Sequence, residues 1–339
     1  MGLVERPGLV ERVMTVKTST ALILGLALTL ASQAAAQDEA WPTRTVRLIA
    51  PAGPGGNPDV MARLLADKFT AAFGKPFIVE NVPGAGGVVA ANAVAKAPPD
   101  GHVLMFGDSG ALAINPALTP GLGYDPIKDF TPVTALVTLP TILVTHPDVQ
   151  AKTLGEFIAL ARKQPGQMSF GSAGAGSIHQ LTFAIFAEQT GIDLLHVPYR
   201  GGSAMVNGLL TGEIQAGWSG IPNVIELIAA GKLRGLCIST AQRSPSTPSI
   251  ATCDEVGVKG FSVATMMGLQ APAGTSPRIV ARLQVEVAKS LREPAMAIRM
   301  TQLGMVMEEN GTANYSAFMR RDVALYAEVV KKLGLQEAK

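Results

Sequence analysis

Two glycine-rich stretches hold the residues best suited to binding chemistry. The first, Pro54-Gly55-Gly56-Asn57-Pro58-Asp59, follows the apolar run TVRLIA; the second, Ser172-Ala173-Gly174-Ala175-Gly176-Ser177-Ile178-His179, follows Ser169–Gly171. Each stands where a strand is expected to end and a helix to begin. A helix start offers unpaired N–H groups and the positive end of the helix dipole. Glycine lets the main chain approach a ligand with no Cβ in the way. The chemistry implied is recognition of a small anion. Neither loop contains Lys or Arg. An exposed charge gains about 0.3–1 kcal/mol from a helix start, and a charge-assisted hydrogen bond adds about 1.5–3 kcal/mol. Several must combine to reach roughly −8 kcal/mol, a micromolar complex. That suits a small carboxylate and is thin for a nucleotide.

Other polar residues stand at expected strand ends. Asp108 and Ser109 close one strand, Trp218 and Ser219 another, and Tyr199-Arg200 enters a turn. Arg200 either meets a ligand carboxylate or lies exposed beside its turn. His179 either touches ligand or braces its own loop, and Trp218 either reaches the cleft or belongs to the core. Asp59, in a first helical turn, is expected to support the dipole rather than contact an anion.

Competing motifs fail. Neither Gly74-Lys75 nor Gly231-Lys232 is followed by Ser or Thr, so no phosphate loop is completed. Gly174-Ala175-Gly176 lacks the third glycine of a dinucleotide fingerprint, with His179 in its place. Gly107-Asp108-Ser109-Gly110 copies the string around a serine-protease nucleophile, but the upstream histidine, His102, is a few residues away in an α/β pattern. The four histidines, His102, His146, His179 and His196, show no metal-ligand spacing. Neither cofactor nor metal is expected.

Strands alternating with helices must position these loops. Strand 45–50 leads through the first loop to a helix over 58–73, with Asn57 as N-cap, Pro58 at the first position and Gly74 as the stop. Met61, Leu64, Leu65, Lys68 and Ala72 are expected on one face. Strand 77–80, the turn Pro83–Gly87, helix 88–96 and strand 103–106 follow. Val133–His146 is apolar with Pro140 in the middle, which reads as two short strands or a crossover. Helix 154–163 opens with the capping box Thr153-x-x-Glu156. Then come strand 169–171, helix 178–190, strand 194–197, helix 204–210, strand 215–219, helix 223–230 and strand 233–239. Strand 268–271, a helix 277–291 capped by Ser276, and helices 294–303 and 313–332 finish the chain. Strands separated by helices imply parallel pairing with helices on both sheet faces. The fold class expected is α/β, with two doubly wound domains, a hinge and an interdomain cleft. Crossovers are placed at 140–147 and 262–271, giving domain 1 as 37–143 plus 268–339 and domain 2 as 144–267.

The 339 residues are 47% hydrophobic, 16% charged and 5% aromatic, with 36 glycines, too apolar for a disordered chain and too glycine-rich for a plain helical bundle. A net charge of +2 gives no footprint for nucleic acid. Residues 20–31, TALILGLALTLA, follow Lys17 and precede Ser32-Gln33-Ala34-Ala35-Ala36. A basic flank, a short apolar core and a small-residue ending make a cleavable signal peptide over 1–36, too short for a membrane anchor. GLVER occurs twice before Met14, so synthesis starts at either Met1 or Met14. Cys237 and Cys253 could pair in an oxidising compartment. Cys237, however, lies in the apolar run LRGLCIST, and two unpaired buried thiols are the favoured reading.

Several strings resemble the solute-binding proteins of tripartite tricarboxylate transporters, the Bug family. They are RLIAPAGPGGNPDVMARLLADKF, VENVPGAGG, APPDGHVLMFG, YDPIKDFTPV, SAGAGSIH, HVPYRGG, LLTGE, AAGKLRGL and LQAPAGTS, in order along nearly the whole exported chain. The resemblance implies a monomeric, two-lobed fold like the type II periplasmic binding proteins. It implies capture of an organic carboxylate, a dicarboxylate or an aromatic acid, and delivery to membrane permease subunits. It also implies that the PGG loop and Ser172–His179 line the cleft. Members of that family usually carry Phe where this chain has Ala52, and often Trp where it has Met267. If either faces the cleft, the pocket is roomier and the ligand bulkier than a four-carbon diacid. The alternative reading is an exported hydrolase using Ser109 or Ser177, against which stands the lack of a base–orienter pair.

Overall fold

A computed structural model describes residues 41–119, 121–308 and 312–336; the expected signal peptide lies outside them. The first strand, β1 (Val46–Ala50), is buried at Val46, Leu48, Ile49 and Ala50. Helix α1 (Asn57–Phe73) packs on it through Met61, Ala62, Leu65, Ala66 and Phe69. That stripe is shifted from the expected one: Ala72 is exposed, and Phe69 takes the inner position. Gly74 stops the helix as expected, in the left-handed conformation (φ 68°), its N–H reaching the Thr70 carbonyl. Strand β2 (Phe77–Asn81), helix α2 (Val88–Ala95) and strand β3 (Val103–Asp108) complete the first parallel unit, with β1 between β2 and β3. Beyond β3 the chain makes a wide turn over Gly110–Ile114 and a short helix, α3 (Asn115–Leu118).

The next segment passes straight from one sheet to another. Strand β4 (Phe130–Leu139) belongs to the first sheet and β5 (Thr141–Thr145) to the second, with Pro140 between them. Proline has no N–H to donate to a ladder, which makes it a natural point for the chain to leave one sheet. Helix α4 (Leu154–Lys163) starts at Thr153, whose hydroxyl accepts the Glu156 N–H. Strand β6 (Ser169–Ser172), helix α5 (Ile178–Thr190), strand β7 (Leu195–Pro198), helix α6 (Gly202–Leu210), strand β8 (Ala216–Gly220), helix α7 (Ile221–Ala229) and strand β9 (Arg234–Ile238) build the second sheet. The chain then returns through β10 (Thr265–Pro272), helices α8 (Pro277–Leu291) and α9 (Pro294–Gln302), the short strand β11 (Val306–Met307) and the long helix α10 (Thr312–Lys332).

The first sheet is six-stranded, in the order β11-β4-β10-β3-β1-β2, and the second five-stranded, β7-β6-β8-β5-β9. The fold is therefore two α/β domains, as expected, but the sheets are mixed rather than parallel. Strand β10 runs antiparallel to both β3 and β4, and β5 runs antiparallel to both β8 and β9. Both of these strands stand beside the passages between sheets; the short edge strand β11 is also antiparallel to β4. A strand entered directly from the other sheet carries no crossover helix to reverse its direction, so parallel pairing is not imposed.

The cysteines also depart from expectation. Cys237 on β9 and Cys253 are joined as a disulfide. Both are fully buried, within an apolar cluster that includes Leu143, Val258 and Phe261. The bridge sits beside the bridge pairing of Ile238 with Thr252, which already brings the two segments together. Replacing both cysteines with serine is expected to cost about 3 kcal/mol, the chain-entropy value for a closed loop of about this length. Denaturant titration of the oxidised wild type against the variant checks it; coincident curves would show that the bridge adds nothing.

Candidate functional site

The first loop is held from beneath by one carboxylate. Asp59 is 2% exposed; it accepts the Gly55 N–H (2.8 Å) and the Asn81 side-chain amide (2.9 Å) and pairs with Arg63 (2.9 Å). Asn81, the last residue of β2, also donates to the Ala52 carbonyl (3.0 Å). Burial pushes the Asp59 carboxyl up, but Arg63 and the N–H groups of Gly55 and Asn81 outweigh it and hold it below the usual range. Asp59, expected to support the helix dipole, also braces the loop, and Gly56 rather than Asn57 stands at the N-cap.

The second loop has a different brace. Ser172 is fully buried; its hydroxyl accepts the Gly174 N–H (3.1 Å), donates to the Gly174 carbonyl (2.9 Å) and lies 2.7 Å from His196 Nε2. The Gly176 N–H donates to Gln180 Oε1 (2.7 Å), and Ser177 caps α5 by accepting the Gln180 N–H. Tyr199 continues the wall: its N–H reaches the Ser172 carbonyl, and its own carbonyl lies beside Gly174. Arg200 follows, exposed, and has no acidic partner among the described residues. The His179 ring, with a buried and unpartnered Nδ1, lies near Gly202; burial lowers its pKa. Ser172, Ala173, Gly174, Gly176, Ser177, His179, Tyr199 and Arg200 therefore form one cluster.

The expectation that glycine amides stand ready for an anion needs correction. The N–H groups of Gly55, Gly56, Gly174 and Gly176 are already donated, to Asp59, the Gly53 carbonyl, Ser172 and Gln180 respectively. An unpaired buried amide is costly, so these loops close their own hydrogen bonds. Helix geometry leaves the first-turn amides of Asn57 and Asp59, and of Ile178 and His179, without acceptors inside their helices.

The second loop borders the stretch Gly110–Leu118, and Pro51, which precedes the first loop, approaches the same stretch across Gly87. A Cβ on Gly87 (φ 96°) would stand 3.2 Å from Pro51 and 2.8 Å from Ala111. A Cβ on Gly176 (φ 72°) would stand 2.7 Å from Leu118. Glycine is required at both places by close approach as well as by dihedral angle. Ala111 and Leu118 are separated by roughly 10 Å of helical rise. Cavities of about 310 and 410 Å³ lie beside other residues, around Thr240 and Arg321 and around Phe183 and His196.

Three expected contacts point inward. Trp218 is fully buried, stacked on Phe261 with ring centroids 5.6 Å apart and edge-on to Phe186, which settles it as core. Asp108 turns back to accept the Ala111 N–H, and burial pushes its carboxyl up. Ser109 is 5% exposed; it donates to Asp322 (3.0 Å) and accepts the Met266 N–H (3.1 Å). Ser219 is buried with its hydroxyl unpartnered. Asn57 is exposed and Ala52 half-buried, whereas Met267 is 1% exposed within the first sheet. Sequence reasoning missed His196, Gln180 and Asp322. Gln180 directly follows the second loop but carries no motif, whereas only folding brings His196 to Ser172 and Asp322 to Ser109.

Ser172 and His196 form a serine–histidine hydrogen bond. It lacks catalytic form, because a side-chain amide, Gln180, faces the other ring nitrogen where an orienting carboxylate would be needed. Among the described residues no group of three or more His, Cys, Asp or Glu could hold a metal ion. None of the described helices is long and apolar enough to cross a membrane.

The sequence profile of the tripartite tricarboxylate transporter family receptor matches residues 61–335, and the chain belongs to that family. It is 32% identical over 314 residues to protein BugT of Bordetella pertussis, covering 92% of this chain and 96% of that one. Among solved structures, R. palustris Rpa4515 with adipate is 31% identical with a TM-score of 0.71, covering 87% of this chain and 98% of that one. MatC from Rhodopseudomonas palustris with bound malate is 32% identical with a TM-score of 0.68, covering 86% and 100%. The family is one of receptors rather than enzymes, which removes the hydrolase reading of Ser109 and Ser177.

Asp322 supplies a test of the inward-facing polar cluster. Burial raises its carboxyl to about 6, against the opposing pull of Arg321 and Ser109. A carboxyl raised above its unfolded value stabilises the fold when protonated, and that contribution is lost as pH rises towards the folded value. Wild type is expected to lose roughly 2 kcal/mol between about pH 4 and pH 6 relative to Asp322→Asn. Denaturant titrations of both proteins at the two ends of that range check it; parallel pH profiles would contradict it.

Proposed function

We propose that the chain is an exported periplasmic receptor that captures a small organic carboxylate, a dicarboxylate or an aromatic acid. It hands the acid to the membrane permease subunits of a tripartite tricarboxylate transporter. The observation that carries this reading is that relatives at 31% and 32% identity, matched over 98% and 100% of their length, are described with adipate and malate. The two braced loops add support. Each lies at the carboxyl end of a strand, where ligands of open α/β sheets bind, and the second borders Gly110–Leu118.

In this reading Ala52, Gly55, Gly56 and Asn57 face the acid from domain 1 (37–143 plus 268–339). Ser172, Ala173, Gly174, Gly176, Ser177, His179, Tyr199 and Arg200 face it from domain 2 (144–267), with Ser219 at the rear. The carboxylates are held by first-turn amides and by the exposed Arg200. Asp108, Ser109 and Trp218 act as scaffold. Ala52 leaves room for an acid longer or wider than four carbons; Met267, inside the sheet, does not bear on pocket size.

A thermal-shift screen of the purified chain against succinate, malate, adipate and benzoate is expected to show stabilisation without turnover, strongest for the larger acids. Tight calorimetric binding of malate with none of adipate or benzoate would overturn the size assignment. Ala52→Phe is expected to weaken the preferred larger acid by about tenfold, roughly 1.4 kcal/mol, while sparing a four-carbon diacid. Equal loss for both would place Ala52 outside the pocket.

A further inference from the structure

His196 joins the two ends of the second loop through a single imidazole. It lies on β7 opposite Phe170, its ring stacked on the Phe170 ring with centroids 4.9 Å apart. Nε2 is 2.7 Å from Ser172 Oγ, the hydroxyl that holds both the N–H and the carbonyl of Gly174. Nδ1 is 3.2 Å from Gln180 Nε2, and the Oε1 of the same amide accepts the Gly176 N–H. The chain of donors leaves one arrangement. Gly176 needs an acceptor, so Gln180 turns its oxygen to the loop and its NH2 to the ring. Nδ1 must then be bare, and the ring proton sits on Nε2, donated to Ser172.

A second proton cannot be added without loss. A charged imidazole carries N–H on both sides, which would set a donor against the Gln180 NH2. Either Gln180 rotates and abandons Gly176, or the ring withdraws and the Ser172 hydroxyl loses the donor that orients it towards Gly174, whose carbonyl is also held by Ser177. The charged groups on this side of the ring are Glu188, Asp193 and Lys332, which line the adjoining cavity of about 410 Å³ with it. Glu188 is paired with Lys332, which also pairs with Glu328. No carboxylate replaces Gln180 at Nδ1 to welcome a second proton, and burial lowers the pKa of the ring.

We propose that His196 is the positioning residue of the second loop: as the neutral Nε2–H tautomer it fixes Gly174 and Gly176 in the shape that receives ligand, and protonation releases them. The consequence for binding rests on the carboxylate-receptor reading; the latch itself does not. Nitrogen NMR of the wild-type protein at about pH 8 is expected to show the neutral Nε2–H tautomer, and the Nδ1–H tautomer would overturn the proposal. Amide hydrogen exchange without ligand is expected to show protection at Gly174 and Gly176 falling about tenfold or more from about pH 8 to about pH 5.5. In His196→Gln, which keeps a donor for Ser172 and cannot titrate, that fall should vanish. Equal pH dependence in both proteins would overturn the latch. Calorimetry with adipate over the same range should show wild type losing about tenfold more affinity than His196→Gln, the titration of adipate being common to both. Protection that responds to pH in a protein that binds no acid would leave the latch standing and remove the carboxylate reading.

Discussion

The antiparallel pairing of Thr265–Pro272 with Phe130–Leu139 is the constraint on which the rest depends. Both passages between the sheets leave from this pair of neighbouring strands. Where they cross they are stitched together: Thr141 donates its N–H to the Ser239 hydroxyl, Ser239 returns its N–H to the Thr141 carbonyl, and Val263 donates to the Ser239 carbonyl. Two adjacent strands bonded to one another form a connection that resists shear along their length and bends across it. Such a connection is what a hinge between domains requires. The same passage accounts for the second sheet, where β5 runs antiparallel to both β8 and β9.

The loops at the strand ends solve a shared problem by different means. A glycine-rich turn at the mouth of a helix exposes donors that must be satisfied in the absence of ligand. In the first domain a buried carboxylate does this, and the arginine beside it offsets the cost of burying that charge. In the second domain the same task falls to uncharged groups, a hydroxyl, an imidazole and an amide. The first solution is indifferent to pH over the physiological range, since the Asp59 carboxyl is held low. The second depends on which nitrogen of a histidine carries the proton.

Much of this was legible from residue order. The alternation of strands and helices, the stop at Gly74 and the caps at Thr153 and Ser276 are local signals, set by backbone geometry within a few residues. The break at Pro140 was readable for the same reason. What stayed hidden depends on distant partners. The direction of β10 depends on which sheet it re-enters, and the joining of Cys237 to Cys253 on whether two segments meet. The inward turn of Ser109 depends on Asp322, far along the chain. Trp218 at a strand end looks the same from sequence whether its ring enters a cleft or, as here, an aromatic cluster with Phe186 and Phe261.

The helix that carries the second loop is not free of the other domain. Leu181 on α5 packs with Ala113, Ile114 and Ala117 of the first domain and with Tyr326, Val329 and Val330 of the C-terminal helix. Swinging the domains apart like a book would strip water-free methyl and aromatic surface from both sides at once. The cheaper path keeps this seam intact and rolls one domain over it, so that the mouth widens on the far side. Substitutions along that seam therefore act on the contact between the domains rather than on the glycine-rich loops.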